Sequence, residues 1–259
     1  MPNMVTVDVD GPVAAVTLNR PDALNAISGA LADELSTALR DVGARNNVWV
    51  MVLRAAGDKA FCVGADLKER ASFSLEEFYV NRKQMRTMFE ALRGVRQPTI
   101  ASVFGYALGG GFELALSCDV IVAADDAVFG LPEARVGLIP AGGATQLLPR
   151  VIGSAHAKEL IFTGRRFGAE EGRAFGVVAR VVARKDLDDA TRALAHDVCR
   201  SSPVAVREAK GAIDAALGAP IKTGIEREHE AWERVVRSDD RAEGIEAFNE
   251  RRDPRWRNH

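Results

Sequence analysis

Two glutamates stand in surroundings that suit acid–base chemistry. Glu113 falls three residues past Gly110, on the first turn of the short and otherwise apolar segment FELALS. Glu133 follows Pro132 in a second apolar stretch, VFGLPEARVGLIP. A carboxylate set against apolar surface is costly to bury without a partner or a task. Two of them in such surroundings form a familiar pair for moving protons. Surface placement or helix capping is the blander alternative for each residue, and the commoner one for a carboxylate.

Main-chain groups supply the second chemical signal. Val63-Gly64-Ala65-Asp66 and Leu108-Gly109-Gly110-Gly111 each follow an expected strand and precede an expected helix. Glycine lets a backbone approach a ligand, and the start of a helix leaves N–H groups unpaired. Two such donors converging on one point would form an oxyanion hole for a carbonyl oxygen that gains charge. Two ordinary strand-to-helix turns fit the same pattern. The triple glycine lacks the Gly-Lys-Ser/Thr ending of a phosphate loop, and the G-x-G that begins at Gly109 meets Leu114 where a dinucleotide fingerprint needs glycine. No G-x-S-x-G elbow is present. His156, His196, His229 and His259 have no metal-ligand spacing, and Cys62, Cys118 and Cys199 form no CxxC pair. Packing is the expected role of Cys62, and no metal site is expected.

The elements that must position these residues read as an α/β chain. Val5, Val7 and Val9 alternate with polar residues, Asp10-Gly11 turns, and Val13 to Leu18 returns, which predicts a hairpin. Ser28 can cap a helix to about Val42, whose Leu31, Leu35, Ala38, Leu39 and Val42 recur at helical spacing. Val48 to Leu53 predicts a buried strand. Ser74 and Glu77 predict a capping box for a long helix to about Leu92. TIASV and DVIVA predict two more strands, with GYALGGGFELALS as a tight loop running into a helix between them. Strand, loop and helix thus alternate, as in an α/β fold or a spiral of strand-strand-helix turns. From about Asp186 the pattern is helical and charged, over 186–200, 203–217, 220–237 and 240–252. The expected division is a core at 1–185 and a helical region at 186–259.

Composition narrows the partners. The 259 residues carry 34 basic and 36 acidic side chains, for a formal charge of −2. That balance gives no general attraction to nucleic acid or to an anionic membrane. Arg251, Arg252, Arg255 and Arg257 form one local basic run, read as a solvated tail, a subunit contact or an anion site. No apolar run is long enough to span a bilayer, and the start MPNMVTVDVDG has no leader character. A cytoplasmic protein with reduced thiols is expected.

Several stretches together identify a resemblance. LNRPDALNAIS, AFCVGADLKE and GYALGGGFELALSCDVIVAADDAVFGLPEARVGLIP, in this order, resemble the crotonase superfamily, and so does the ending DDRAEGIEAFNERR. The chain is most similar to the enoyl-CoA hydratases of that superfamily. The resemblance implies a ClpP/crotonase-like spiral with an all-helical C-terminal trimerisation region, assembled as a homotrimer or as a hexamer of two trimers. It implies an acyl-CoA thioester as substrate, in chemistry of the β-oxidation kind, with no separate cofactor because CoA arrives with the substrate. It maps the oxyanion hole onto the amides of Ala65 and Gly110 and the catalytic pair onto Glu113 and Glu133. Acyl-CoA contacts are implied at Ala23, Leu24, Ala65, Asp66, Leu67, Lys68, Gly110 and Ala141. Trp232 and Arg251 are implied near the adenine end of CoA bound by a neighbouring subunit. Three positions depart from the family pattern: Ala141 stands for a glycine, Leu147 for an arginine, and Asp22 for a lysine near CoA. The activity implied is hydration of a trans-2-enoyl-CoA. The alternatives are double-bond isomerisation, a specialised relative such as a crotonobetainyl-CoA hydratase, or a non-catalytic protein that binds acyl-CoA or RNA.

Overall fold

The computed structural model describes residues 3–259; Met1 and Pro2, part of the leaderless start expected above, lie outside them. The chain opens with the expected antiparallel hairpin, β1 (Val5–Asp10) and β2 (Val13–Leu18). Helix α1 (Gly29–Gly43) is capped by Ser28, whose hydroxyl accepts the Leu31 N–H, and buries Leu31, Leu35, Leu39 and Val42.

Three strand-strand-helix turns follow. In the first, β3 (Val50–Ala55) leads to β4 (Ala60–Cys62), then to α2 (Leu67–Arg70) and α3 (Leu75–Arg93). In the second, β5 (Thr99–Val103) leads to β6 (Tyr106–Leu108) and α4 (Gly110–Leu116). In the third, β7 (Val120–Ala124) leads to β8 (Val128–Gly130), a 3-10 turn over Pro132–Val136, and α5 (Ala144–Thr163). The first strand of each turn joins one sheet and the second joins another. The large sheet runs β1-β2-β3-β5-β7-β10, and the small one β4-β6-β8-β9. Strand β9 (Arg166–Gly168), α6 (Ala169–Ala174) and β10 (Arg180–Val182) complete the spiral.

Several boundaries differ from the sequence reading, among them the short strands β4, β6 and β8, none of them expected as a strand. The strand expected from Val48 begins at Val50, because Val48 and Trp49 bond outward to the carbonyls of Arg45 and Pro12. Tyr106–Leu108, expected within a loop, is strand β6, too short to show an alternating pattern. The capping box at Ser74 and Glu77 is present in both directions.

A core of Leu18, Phe61, Phe112, Phe129 and their neighbours fills the space between the sheets and the helices. Phe112, Phe129 and Phe167 meet ring to ring at 5.2–5.6 Å, inside the favourable range for aromatic pairs. The C-terminal region is helical as expected: α7 (Leu187–Cys199), α8 (Pro203–Ala216), α9 (Ile221–Val236) and α10 (Asp239–Glu250). It does not stand apart as a whole. Helix α7 lays Leu187 and Ala195 on Val50, Val52, Ile100 and Val122 of the large sheet, while α8 packs on α9. Ile213, Leu217, Ile221, Ile225 and Trp232 remain exposed on α8, α9 and the link between them. Among the described residues no helix is long and apolar enough to cross a membrane.

The segment before α1 is pinned by one side chain. Leu24 and Asn25 both take φ of 53°, a left-handed conformation that asparagine tolerates better than leucine. Asn25 is fully buried; its Oδ1 accepts the Arg20 N–H at 2.9 Å, and its Nδ2 donates to the carbonyls of Ala56 and Ala60 at 3.0 Å. Asn25→Ala should destabilise the chain by about 2–4 kcal/mol, because it strands buried main-chain groups as well as losing the bonds. A denaturation midpoint that does not move would refute this reading of the segment.

Candidate active site

The parallel pairing of the small sheet decides what meets at its edge. Strands β4, β6 and β8 lie side by side in one direction, with Cys62 opposite Ala107 and Leu108 opposite Gly130. Their C-terminal ends therefore release three loops at one edge: Val63–Asp66, Gly109–Gly110 and Leu131–Glu133. Ligands in parallel α/β sheets commonly bind at this end of the strands.

The first two loops touch. Gly64 sits at φ +87°, and a β-carbon there would come within 2.9 Å of the Leu108 carbonyl oxygen and 3.0 Å of the Gly110 nitrogen. Only glycine fits so close a crossing. The position that a Gly110 β-carbon would take lies 3.8 Å from the Ala65 nitrogen. The amides of Ala65 and Gly110 are thus neighbours, and neither donates to an acceptor among the described residues. The Ala65 loop is held from behind. Ile27 bridges it by giving its N–H to Gly64 and accepting from Asp66. Asp66 caps α2 through the amides of Lys68 and Glu69, and pairs with Arg20 at 2.7 Å. Burial would raise the Asp66 carboxyl, but the Arg20 hydrogen bond and charge together with these amides hold it below the usual range.

Glu113 and Glu133 line the same cavity of about 270 Å³, together with Ala65 and Gly110. Their environments differ. Glu113 is buried on α4, and its Oε1 accepts three amides at the start of α5: Gly142 at 2.7 Å, Gly143 and Ala144 at 3.0 Å. Burial pushes its carboxyl above the ordinary value, while the three amides and Arg82 oppose the shift. Oε2 takes no donor among the described residues, which leaves it for a ligand of the cavity. Glu133 lies on the 3-10 turn, and its Oε1 comes within 2.8 Å of where a Gly109 β-carbon would stand. Its Oε2 is buried without a partner among the described residues. Burial, partly offset by its own main-chain N–H and reinforced by the Glu113 charge, pushes it up to about 7. A carboxyl at that value can both give and take a proton near neutrality.

The other expected residues divide. Leu67 and Ala141 line the cavity. The Ala141 amide does not bond Glu113; its carbonyl instead accepts Arg82 Nη2 at 2.7 Å. The Asp66 side chain is spent on its cap and ion pair, and Lys68 is exposed beside it. Ala23 and Leu24 belong to the turn behind the Ala65 loop, where the Leu24 carbonyl accepts the Val63 N–H. Asp22 is exposed on the same turn. Trp232 is exposed on α9 and stacks on His229 at 6.1 Å, and Arg251 is the exposed left-handed cap of α10. Neither lines the cavity of its own chain.

Much of the remaining wall comes from α3. Phe78, Arg82, Met85 and Phe89 face the cavity at spacings of four, three and four, a single stripe of the helix. That stripe was present in the sequence as periodicity, but periodicity alone does not separate a cavity wall from core. Cys62 is buried beneath the first loop, with burial pushing its thiol up to about 12, as expected of a packing residue. Among the described residues no three of His, Cys, Asp and Glu cluster to hold a metal ion.

Known proteins match this chain over nearly its full length. A family model for enoyl-CoA hydratase/isomerase matches residues 8–259. An enoyl-CoA hydratase from Bacillus anthracis superposes with a TM-score of 0.96 at 41% identity, covering 99% of this chain and 100% of that one. An enoyl-CoA hydratase from Mycobacterium smegmatis gives 0.91 at 32% identity, with 98% of each chain covered. Enoyl-CoA hydratase domain-containing protein 2 of Homo sapiens, named as mitochondrial, is 41% identical over 95% of this chain and 86% of its own length.

The raised Glu133 carboxyl has a consequence for stability. The folded chain keeps that proton up to about pH 7, whereas an unfolded glutamic acid releases it near 4.5. The folded state therefore binds more protons across this window, and stability falls as pH rises through it. Glu133→Gln removes the penalty. Its thermal midpoint should exceed that of the parent at pH 8, with the gap closing towards pH 4.5. A gap that instead widens in acid would contradict the assigned environment.

Proposed function

Because the chain belongs to the enoyl-CoA hydratase/isomerase family, within the crotonase superfamily, we propose that it adds water syn across the 2,3 double bond of a trans-2-enoyl-CoA to give a 3-hydroxyacyl-CoA. One observation carries this reading: two carboxyls of different character line the same cavity as two neighbouring amides that lack acceptors.

The steps follow from the charges. The thioester oxygen accepts the amides of Ala65 and Gly110. Water held at the free Oε2 of Glu113 attacks C3, and the π electrons move through C2 onto the thioester oxygen. The two amides bond that oxygen more strongly as its charge grows, so they lower the barrier more than they tighten substrate binding. Glu133, protonated over half of its population near pH 7, supplies the proton at C2 as the electrons return. Glu113 takes up the proton that the water loses. Fixing Oε1 to three amides aims Oε2 and leaves it one task.

Isomerisation needs only one carboxyl, to carry a proton between C2 and C4, and gives the held Glu113 no work. The Glu113 arrangement therefore favours hydration. A trimer, or a hexamer of two trimers, would bring Trp232 and Arg251 of one subunit towards the CoA of another, and the exposed apolar residues of α8 and α9 support such an assembly.

The conjugated thioester absorbance of crotonyl-CoA should fall on incubation with the protein. Gly110→Pro, at the first helical position where proline is tolerated, removes one donor and should lower kcat about 10²–10³-fold. Glu133→Gln should lower it about 10²–10⁴-fold. Absorbance that stays flat with crotonyl-CoA and longer enoyl-CoAs refutes hydration.

A further inference from the structure

The cavity is lined mostly by apolar groups, yet it carries guanidinium groups that have no place in the chemistry above. Arg70 and Arg82 both line it. Arg70 is half-buried; its Nε donates to Asn81 Oδ1 at 3.0 Å and its guanidinium sits 5.2 Å from the centre of the Phe78 ring. Those contacts fix the plane while leaving both Nη groups without a partner. Arg82 is held by the single bond from Nη2 to the Ala141 carbonyl. Neither makes an ion pair among the described residues, in contrast to Arg20 and Arg165. The acid next to Arg70 is committed elsewhere, since both Glu69 oxygens face the Gly29 N–H at the start of α1.

Two cations on the wall of one pocket, neither in an ion pair and only Arg82 within reach of the Glu113 charge, leave room for a further anion. Burial holds the Arg70 guanidinium below its ordinary value; the Glu69 charge opposes the shift, and the Arg82 charge adds to it. An arginine fork matches the two oxygens of a carboxylate in geometry and in charge. The other charged cavity residue with a guanidinium, Arg135, is turned to the Thr163 carbonyl at 2.7 Å. We propose that Arg70 and Arg82 form a subsite for a carboxylate at the far end of a short acyl chain, which makes the favoured substrate a dicarboxylic enoyl thioester rather than a plain fatty one. This rests on the acyl-CoA reading of the cavity but not on turnover within it.

Binding therefore tests it directly. Glutaryl-CoA and 5-methylhexanoyl-CoA have the same thioester and nearly the same shape at the chain end, with two oxygens in one where the other has two methyl groups. Calorimetric dissociation constants for both should show glutaryl-CoA bound at least about tenfold more tightly, as hydrogen bonds between charged groups allow. Arg70→Met and Arg82→Met should each bring that ratio towards one, and Arg70→Lys should keep part of it. Because the ratio compares two ligands on one protein, a general loss of affinity cancels. If Arg70→Met does not fold, Arg82→Met, at a solvent-accessible position of the cavity wall, carries the same test.

Equal binding of the two ligands by the parent protein overturns the proposal. So does a ratio untouched by both methionine variants. Equal weakening of both ligands would mean that the arginines serve the CoA phosphates, and would overturn it too. Flat absorbance with crotonyl-CoA, with longer enoyl-CoAs and with a dicarboxylic enoyl-CoA, beside a high glutaryl-CoA ratio, would instead remove the hydratase reading and leave the subsite standing.

Discussion

Three short strands pairing in parallel impose the geometry on which everything else rests. Because β4, β6 and β8 run the same way, the chain leaves each at the same edge, and the three exits are forced together. The crossing is so close that a β-carbon on Gly64 would press on both Leu108 and Gly110, and one on Gly111 would fall 2.0 Å from the Cys62 carbonyl oxygen. Two amides are brought side by side there as a result of strand order, with no side chain needed to draw them in. The large sheet and its helices then serve mainly to keep that small sheet from spreading.

Against this fixed backbone the two carboxyls receive opposite treatment. Glu113 is given three donors at the start of α5, where the partial positive charge of a helix end favours an anion. Glu133 is half-buried, with one enclosed oxygen unpaired among the described residues, which favours the neutral form. Placing unlike environments around two identical side chains separates their roles without changing residue type. The ion pair of Arg20 and Asp66 belongs to the same economy: it stabilises the loop that carries Ala65 and takes no part in the cavity itself.

The sequence made the strong elements legible, since α1 and α3 carry side-chain caps and the four C-terminal helices a sustained helical, charged pattern. The three-residue strands were not legible, because AFC, YAL and VFG are shorter than any alternation and are defined only by their partners. Glu113, Glu133, Ala65 and Gly110 stood out through glycine and apolar context, and the fold assembles them in one place. The family resemblance supplied their pairing; spacing alone did not. The wall from α3 stayed hidden for a different reason. Phe78, Met85 and Phe89 look the same in sequence whether they face a core or a void, and Met85 and Phe89 do both. Helix α7 shows the converse, since its charged composition concealed an apolar edge that closes the large sheet.

The stripe on α3 separates two kinds of change available to this scaffold. The loops that hold the amides are locked by main-chain contacts that tolerate almost no substitution. The wall opposite is made of side chains on a regular helix, and those nearer its start, Phe78 and Arg82, lie outside the buried core that holds Met85 and Phe89. Selectivity can therefore drift by single exchanges along one helix while the reaction centre stays as it is, so that a change of diet for the enzyme need not wait on a change of chemistry.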